Sequence, residues 1–389
     1  MPKDPEPDRR RAIQRYQAGE TATAICASMG YSTSWIYKWL ARFNSGDPHW
    51  YRERPRQPKS RPTQTHHEIE ELVIAVRKRL ERQNLFHGAQ AIRWELEDLE
   101  IHPVPSVRTI GRILVRHNLV SRRQGRYEPK GKKYPGPIPR GPGTVHQSDF
   151  VGPRYLAGPV RFYSLNSVDL ASGRCAVQPV LQRAGQNTVD AVWNTWKRLG
   201  MPRHHQVDNE LVFYGSPTHP RGMGHLIRLC LHHDIEVWFI PPGEPWRNGV
   251  VEKFNDHWDT KFLRRVQMAA EEDLFPESLR FEERHNSRYR YSKLGGKTPQ
   301  AALEASEVKL RFPSTQEAPR VPLSKPEHGR YHLIRFVRSD GLMDVFTEKF
   351  LAPPEARYEY VRLTVDVAEQ RLLVFLDGTQ IDEHEYSSR

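Results

Sequence analysis

The sequence predicts a multidomain chain, with helical units at the N-terminus, an α/β core in the middle and a small antiparallel β-structure at the C-terminus. Apolar residues recur at helical spacing in residues 9–43 and again in residues 66–118. From Thr144 to Arg265, three strand-like runs are followed by alternating helical and strand-like segments. Residues 331–386 alternate short β-rich runs with turns such as Asp377-Gly378.

Bulk properties narrow the class. A chain of 389 residues has room for roughly two to four domains. Its formal charge of +12 favours a polyanionic partner. The cysteines, Cys26, Cys175 and Cys230, are far apart and odd in number, so neither a disulfide framework nor a zinc spacing follows and a reducing compartment is expected. There is no apolar secretory core at the start and no apolar run long enough to cross a bilayer, so a soluble intracellular protein with no membrane partner is expected.

Residues 1–50 read as a helix-turn-helix domain. A first helix over Arg10 to Ala18 is followed by Gly19-Glu20, and a short second one ends at Gly30, where a left-handed turn is easiest. The third opens on Ser32 and Thr33 and buries Ile36, Leu40 and Phe43, with Trp39 as core. Its outward Ser34, Trp35 and Lys38 suit the DNA major groove, although a plain three-helix scaffold has the same pattern. Residues 51–64 form a basic, proline-stiffened linker. A second helical, DNA-binding domain is expected over residues 65–120; its last helix is apolar inside through Ile110, Ile113 and Leu114 and basic outside through Arg108, Arg112 and Arg116, with Arg108 and Arg112 as DNA contacts. His66-His67 has no partner cysteines, which excludes a zinc site there. Residues 121–142 form a basic connector expected to order on DNA, with Arg122, Arg123, Lys132 and Lys133 as phosphate contacts.

The core, residues 143–311, carries the chemistry. Asp149 and Asp208 close strand-like runs, and Glu252 lies near the start of a helix reading from Asn248 to Arg264. Hard carboxylate oxygens suit Mg²⁺, and two such ions about 4 Å apart can activate an attacking oxygen and stabilise a leaving one at phosphorus. Crowded carboxylates repel one another without a cation. Asp169, before Ser172-Gly173, reads as a turn initiator. His204-His205 and His232-His233 lack the spacing of a zinc helix and read as solvent-facing or DNA-contacting, while Trp193, Trp196 and Trp238 read as core. Lys253 and Lys261, with Arg264 and Arg265, either grip phosphates or form a solvated face.

Asp149, Asp208-Asn209 and the run Pro245-Trp-Arg-Asn248-Gly249-Val-Val-Glu252 together resemble the DDE core of retroviral integrases and bacterial insertion-sequence transposases. Strand-strand-strand followed by alternating helix and strand also fits the RNase H-like order of that family. The resemblance implies that Asp149, Asp208 and Glu252 are catalytic metal ligands for two Mg²⁺ (or Mn²⁺) ions per active site, and that Asn248 and Gly249 shape the helix start. By residue type alone, Asn248 is also a good helix N-cap. Glu210 stands where the family usually has Gly. The interval between the second and third carboxylates is longer than in many relatives, and Glu244 is a nearer rival, but it sits in Pro241-Pro-Gly-Glu-Pro245, which cannot be helical. The excess falls in a loop-like run from Tyr214 to Met223.

Downstream, the His285-Asn286 segment closes the core, with Asn286 expected to cap a helix or touch DNA. Residues 312–328 form a linker, and residues 329–389 are expected to fold as a small β-barrel of the kind this family carries. The function so implied is a DNA transposase acting in the bacterial cytoplasm at the nucleoid. It would bind double-stranded DNA at element ends, cut and join it to target DNA, and assemble as a dimer or more. The alternatives are a catalytically idle DNA-binding regulator derived from such an element and a nuclease without joining activity.

Overall fold

At the N-terminus, three short helices close on one another because each has one apolar stripe to bury. The computed structural model describes residues 5–54, 65–120, 134–156, 160–215 and 221–388. The three are α1 (Pro5–Gln17), α2 (Ala22–Met29) and α3 (Thr33–Asn44). Ile13, Ile25, Ile36, Trp39 and Leu40 form their core. Thr21 caps α2, and Gly30 ends it at φ 73°, a left-handed conformation open to glycine. Residues 1–66 form one compact unit and residues 67–389 another.

The second unit opens with α4 (His67–Arg82), α5 (Ala89–Asp98) and α6 (Val107–Arg116). Val73, Val76, Ile92, Leu96, Ile110 and Ile113 pack between them, and Tyr289 from far along the chain completes that core. Phe86 meets Tyr289 and Tyr291 edge-on, at 4.7 and 5.4 Å between ring centres. Asn84 donates to the Lys261 carbonyl and Tyr289 Oη to the Asn84 carbonyl, so this bundle is bonded to the α/β part rather than tethered beside it.

The central sheet starts with β1 (Val145–Tyr155), β2 (Arg161–Asp169) and β3 (Cys175–Val180), an antiparallel meander. Next come α7 (Gln186–Leu199), β4 (His204–Val207), the short α8 (Leu211–Tyr214), α9 (His225–Leu231) and β5 (Glu236–Phe239). β4 pairs parallel to β1, and β5 parallel to β4. The order β3-β2-β1-β4-β5 is the RNase H-like arrangement. α10 (Gly249–Trp258), α11 (Leu274–Arg288) and α12 (Pro299–Glu304) follow. One apolar cluster joins the sheet to α7 and α9 through Leu165, Val192, Trp196, Ile227 and Phe239. The other joins it to α10 and α11 through Phe162, Val168, Phe254, Trp258 and Phe281.

The C-terminal strands form where the sequence places them: β6 (Arg330–Phe336), β7 (Leu342–Val345), β8 (Glu348–Leu351), β9 (Tyr360–Asp366), β10 (Arg371–Leu376) and β11 (Thr379–Glu385). Their pairing joins them to the core. β6 lies parallel to β5, and β9, β10 and β11 continue antiparallel, giving one nine-stranded sheet, with β7–β8 a separate hairpin. Among the described residues no ladder joins this hairpin to the larger sheet, but Phe350 of β8 packs on His384 of β11 at 5.2 Å between ring centres, an arrangement consistent with the expected small barrel. β5 would otherwise present an open edge, and β6 covers it.

Two local details differ from the sequence reading. Asp149 sits mid-strand, opposite Asn166, because β1 continues past it to Tyr155 through an irregularity between Val151 and Arg154. The helix carrying Glu252 stops at Trp258 and passes into a π-helical turn at Asp259–Leu263 instead of running to Arg264. Among the described residues no helix is long and apolar enough to cross a membrane.

Candidate active site

Three elements bring the carboxylates into one neighbourhood. Asp149 projects from the middle of β1, Asp208 follows β4 directly, and Glu252 lies in the first turn of α10. β1 and β4 are adjacent and parallel, which puts the first two side by side. Burial pushes the Asp149 carboxyl up to about 7, and the charges of Asp208, Glu210 and Glu252 push in the same direction. Burial also lifts Asp208 to about 6, helped by Glu210 and Glu252 and opposed by the Glu210 N–H and by Arg183. Glu252 is raised by burial and then by Asp256. Carboxylates that are partly desolvated and mutually repulsive are held at an electrostatic cost that a cation removes.

Hydrogen bonds fix each element in place. Gln147 Oε1 accepts from the N–H groups of Val250 and Val251, both at 3.2 Å. These are orphan donors of the α10 N-terminus, so the cap is supplied by β1 rather than by the residue before the helix. Asn248 makes no capping bond. It is buried, donates to the Ser148 carbonyl at 3.3 Å, and accepts from Gln206 at 3.4 Å. The expected N-cap is therefore a clasp between the helix start and strands β1 and β4. Gly249, with φ −60°, begins the helix itself.

Asn255, one turn beyond Glu252, donates to Asp149 Oδ2 at 2.8 Å. Its own oxygen accepts from Asn166, whose oxygen accepts from Ser164, both at 2.8 Å. Asp208 Oδ1 accepts the Glu210 N–H at 3.0 Å. Asn209 donates to the Ile240 carbonyl and accepts from Arg335 of β6 at 3.1 Å. The sequence reading passed over Gln147, Asn255 and Arg335. The i, i+3 spacing of Glu252 and Asn255 on one helix was a usable signal; nothing local marks the other two.

Glu210, where the family has glycine, is paired with Arg183 at 2.7 Å. The rival Glu244 is turned away, paired with Arg247 at 3.0 Å and accepting from Tyr360 Oη at 2.6 Å. The donor set is hard oxygen and anionic, which fits a divalent cation. Among the described residues, however, no three Asp, Glu, His or Cys side chains are drawn together closely enough to hold a metal ion. The carboxylates share a field without forming a finished coordination shell.

Other expected residues fall as follows. Ser34 and Lys38 are exposed on α3, with Lys38 Nζ 3.8 Å from Glu53. Trp35 is half-buried, because its ring stacks on Tyr31 at 3.9 Å, so it is not the outward side chain expected. Tyr37 stands on that face instead. Arg108 and Arg112 are exposed on α6. Arg122, Arg123, Lys132 and Lys133 lie outside the described residues. Lys253 is exposed and pairs with Asp256 at 3.2 Å. Lys261 is half-buried in the π turn, with Nζ donating to the Leu85 carbonyl at 3.2 Å, so it braces the helical bundle instead of lying on a helix face. Asp169 accepts from Ser172 N–H and Oγ, the expected turn. His205 is buried against Ser148 at 2.7 Å rather than facing solvent or DNA. Asn286, neither cap nor surface, binds both backbone groups of Cys175.

Residues 4–50 match the family model of a homeodomain-like domain, and residues 35–114 match a second homeodomain-like model. No curated protein matches the sequence. Similar solved structures include the HTLV-2 integrase catalytic core domain in complex with magnesium (dimeric form), 20% identical over 42% of this chain and 97% of that one, with a TM-score of 0.33. The BIV integrase catalytic core is 18% identical over 42% and 96%, with a TM-score of 0.32. The simian T-cell lymphotropic virus intasome in complex with PP2A regulatory subunit B56 gamma is 14% identical over 80% and 96%, with a TM-score of 0.37.

Proposed function

We propose that this chain, whose organisation is DDE transposase/integrase-like, is a DNA transposase that binds element ends, cuts a strand and joins it to target DNA. The observation carrying this reading is geometric: parallel β1 and β4 set Asp149 beside Asp208, and α10, which carries Glu252, is bonded to Asp149 through Asn255 at 2.8 Å. Exposed Ser34, Lys38, Arg108 and Arg112 on homeodomain-like helices support end binding. Asp149, Asp208 and Glu252 would hold two Mg²⁺ or Mn²⁺ ions, which when bound activate the attacking oxygen and stabilise the leaving one. Asn255 orients Asp149, Gln147 fixes the start of the helix carrying Glu252, and Arg183 neutralises Glu210 so that a phosphate is not repelled there. Joining requires two ends held together, hence a dimer or larger assembly on DNA.

The test is a gel assay on DNA ending in the flanking element's terminal repeats, with Mg²⁺ and an unrelated target. Nicked and joined products are expected from the native chain and neither from Asp149→Asn, with end binding unchanged. Joining by Asp149→Asn would contradict the assignment, and nicking alone would leave a nuclease. A second reading, a catalytically idle DNA-binding regulator, draws on the lack of a ready three-group metal cluster among the described residues. It is favoured if the native chain binds ends and yields no product.

A further inference from the structure

Along a flank of α10 other than the one bearing Glu252 lies a cavity of about 250 Å³. Its walls include Phe254, His257 and His285, with Tyr291 and the β2–β3 turn at Gly173, and Lys253 and Lys293 line it as well. Phe254 meets His285 edge-on at 5.0 Å. Tyr291 Oη bonds His285 Nε2 at 3.3 Å, and Phe86 backs both His257 and Tyr291. Among the described residues no carboxylate lines the cavity. His285 is 2% exposed, and its Nδ1, towards the Gly173 backbone, has no well-formed hydrogen bond.

We propose that this cavity takes the nucleobase of one unstacked nucleotide at a DNA end, with Lys253 and Lys293 on its flanking phosphates. The proposal rests on the DNA-joining reading above and adds a subsite to it. The walls offer flat faces for stacking and a few polar atoms at depth, which suits a planar, polar-edged heterocycle. Both imidazoles are kept neutral, chiefly by burial, His257 at about 4 and His285 at about 3, so they suit an uncharged base better than an anion. The two lysines match the phosphates. Lys253 pairs with the exposed Asp256, and such pairs are weak enough to be exchanged. Lys293 Nζ donates to the Leu170 carbonyl at 3.4 Å and lies in the field of Asp169. Extruding a nucleotide costs least where it is already unpaired, as at a frayed or nicked end. The same helix carries Glu252 and, on a flank turned about 100° or more from it, the residues lining the cavity.

The test uses the full chain without metal, so that nothing is cut, and two fluorescent duplexes of one sequence. One is blunt; the other ends in an unpaired 5-iododeoxyuridine. Anisotropy should show the unpaired end bound roughly tenfold more tightly, the scale of one base–aromatic stack. Ultraviolet crosslinking should map its base to the peptides holding Phe254, His257 or Tyr291. His257→Ala should lose the preference and the crosslink. Lys293→Gln, a surface change remote from the core, should weaken the preference with the fold intact. Equal binding of both duplexes, or a crosslink mapped elsewhere, overturns the cavity proposal and leaves the transposase reading standing. Binding of neither duplex overturns that reading and the proposal with it.

Discussion

At Asp149, burial and three neighbouring carboxylates act in one direction, and Asp208 is shifted likewise, to about 7 and about 6 from ordinary values near 4. Because these folded-state values lie above the unfolded ones, the native chain takes up protons on acidification. The stability so gained is full below pH ~4 and is lost as pH rises through about 6 to 7. The melting temperature of the metal-free chain should therefore fall across that window, with Mg²⁺ restoring more above pH ~7 than below pH ~4. A flat profile would mean that the carboxylates are not coupled. Asn255 offers a second test. Asn255→Leu removes the donor to Asp149 and strands the Asn166 amide, for a loss of about 1–3 kcal/mol in denaturant unfolding. No measurable loss would show that this polar chain does not hold. The carboxylates themselves were legible because a compact motif surrounds Glu252 and an Asp-Asn pair marks Asp208. Gln147 and Arg335 were not, since their partners lie far along the chain, Val250 at a separation of 103 for Gln147 and Asn209 at 126 for Arg335.

Among elements, α10 depends on a cap it does not encode. Asn248 has the residue type of an N-cap, and local sequence supports that reading, but its side chain is buried between strands and the orphan N–H groups go to Gln147. Gln147→Ala should cost about 1 kcal/mol, the usual value of a lost cap. It should also lower strand cleavage disproportionately, because the helix start carrying Glu252 is released; denaturant unfolding and single-turnover cleavage on the same preparation separate the two effects. Equal native turnover would show that Gln147 only caps. The end of α10 departs from the sequence pattern for a related reason. Apolar periodicity continues through Phe262, yet the chain widens into a π turn after Trp258, whose carbonyl and lysine bonds to Asn84 and Leu85 serve the helical bundle. Periodicity registers which residues are buried, not which partner buries them.

For the whole molecule, the C-terminal strands extend the core sheet, and Arg335 from β6 reaches the loop holding Asp208. A chain ending at residue 328 should expose the β5 edge, lose that contact and aggregate or unfold, as judged by light scattering and hydrogen exchange. A monomeric, protected core from that truncation would show that the extension is dispensable. The strands and their hairpin turns were readable from alternation and Asp-Gly signals, but their docking was not, because strand pairing over such separations leaves no local trace. Central to the whole account is that Asp149, Asp208 and Glu252 jointly hold divalent cations. The direct measurement is electron paramagnetic resonance of Mn²⁺ titrated into the DNA-bound chain. A coupled pair of ions at each site, lost in Glu252→Gln, is the predicted result; isolated ions whose number and coupling ignore that substitution would contradict it.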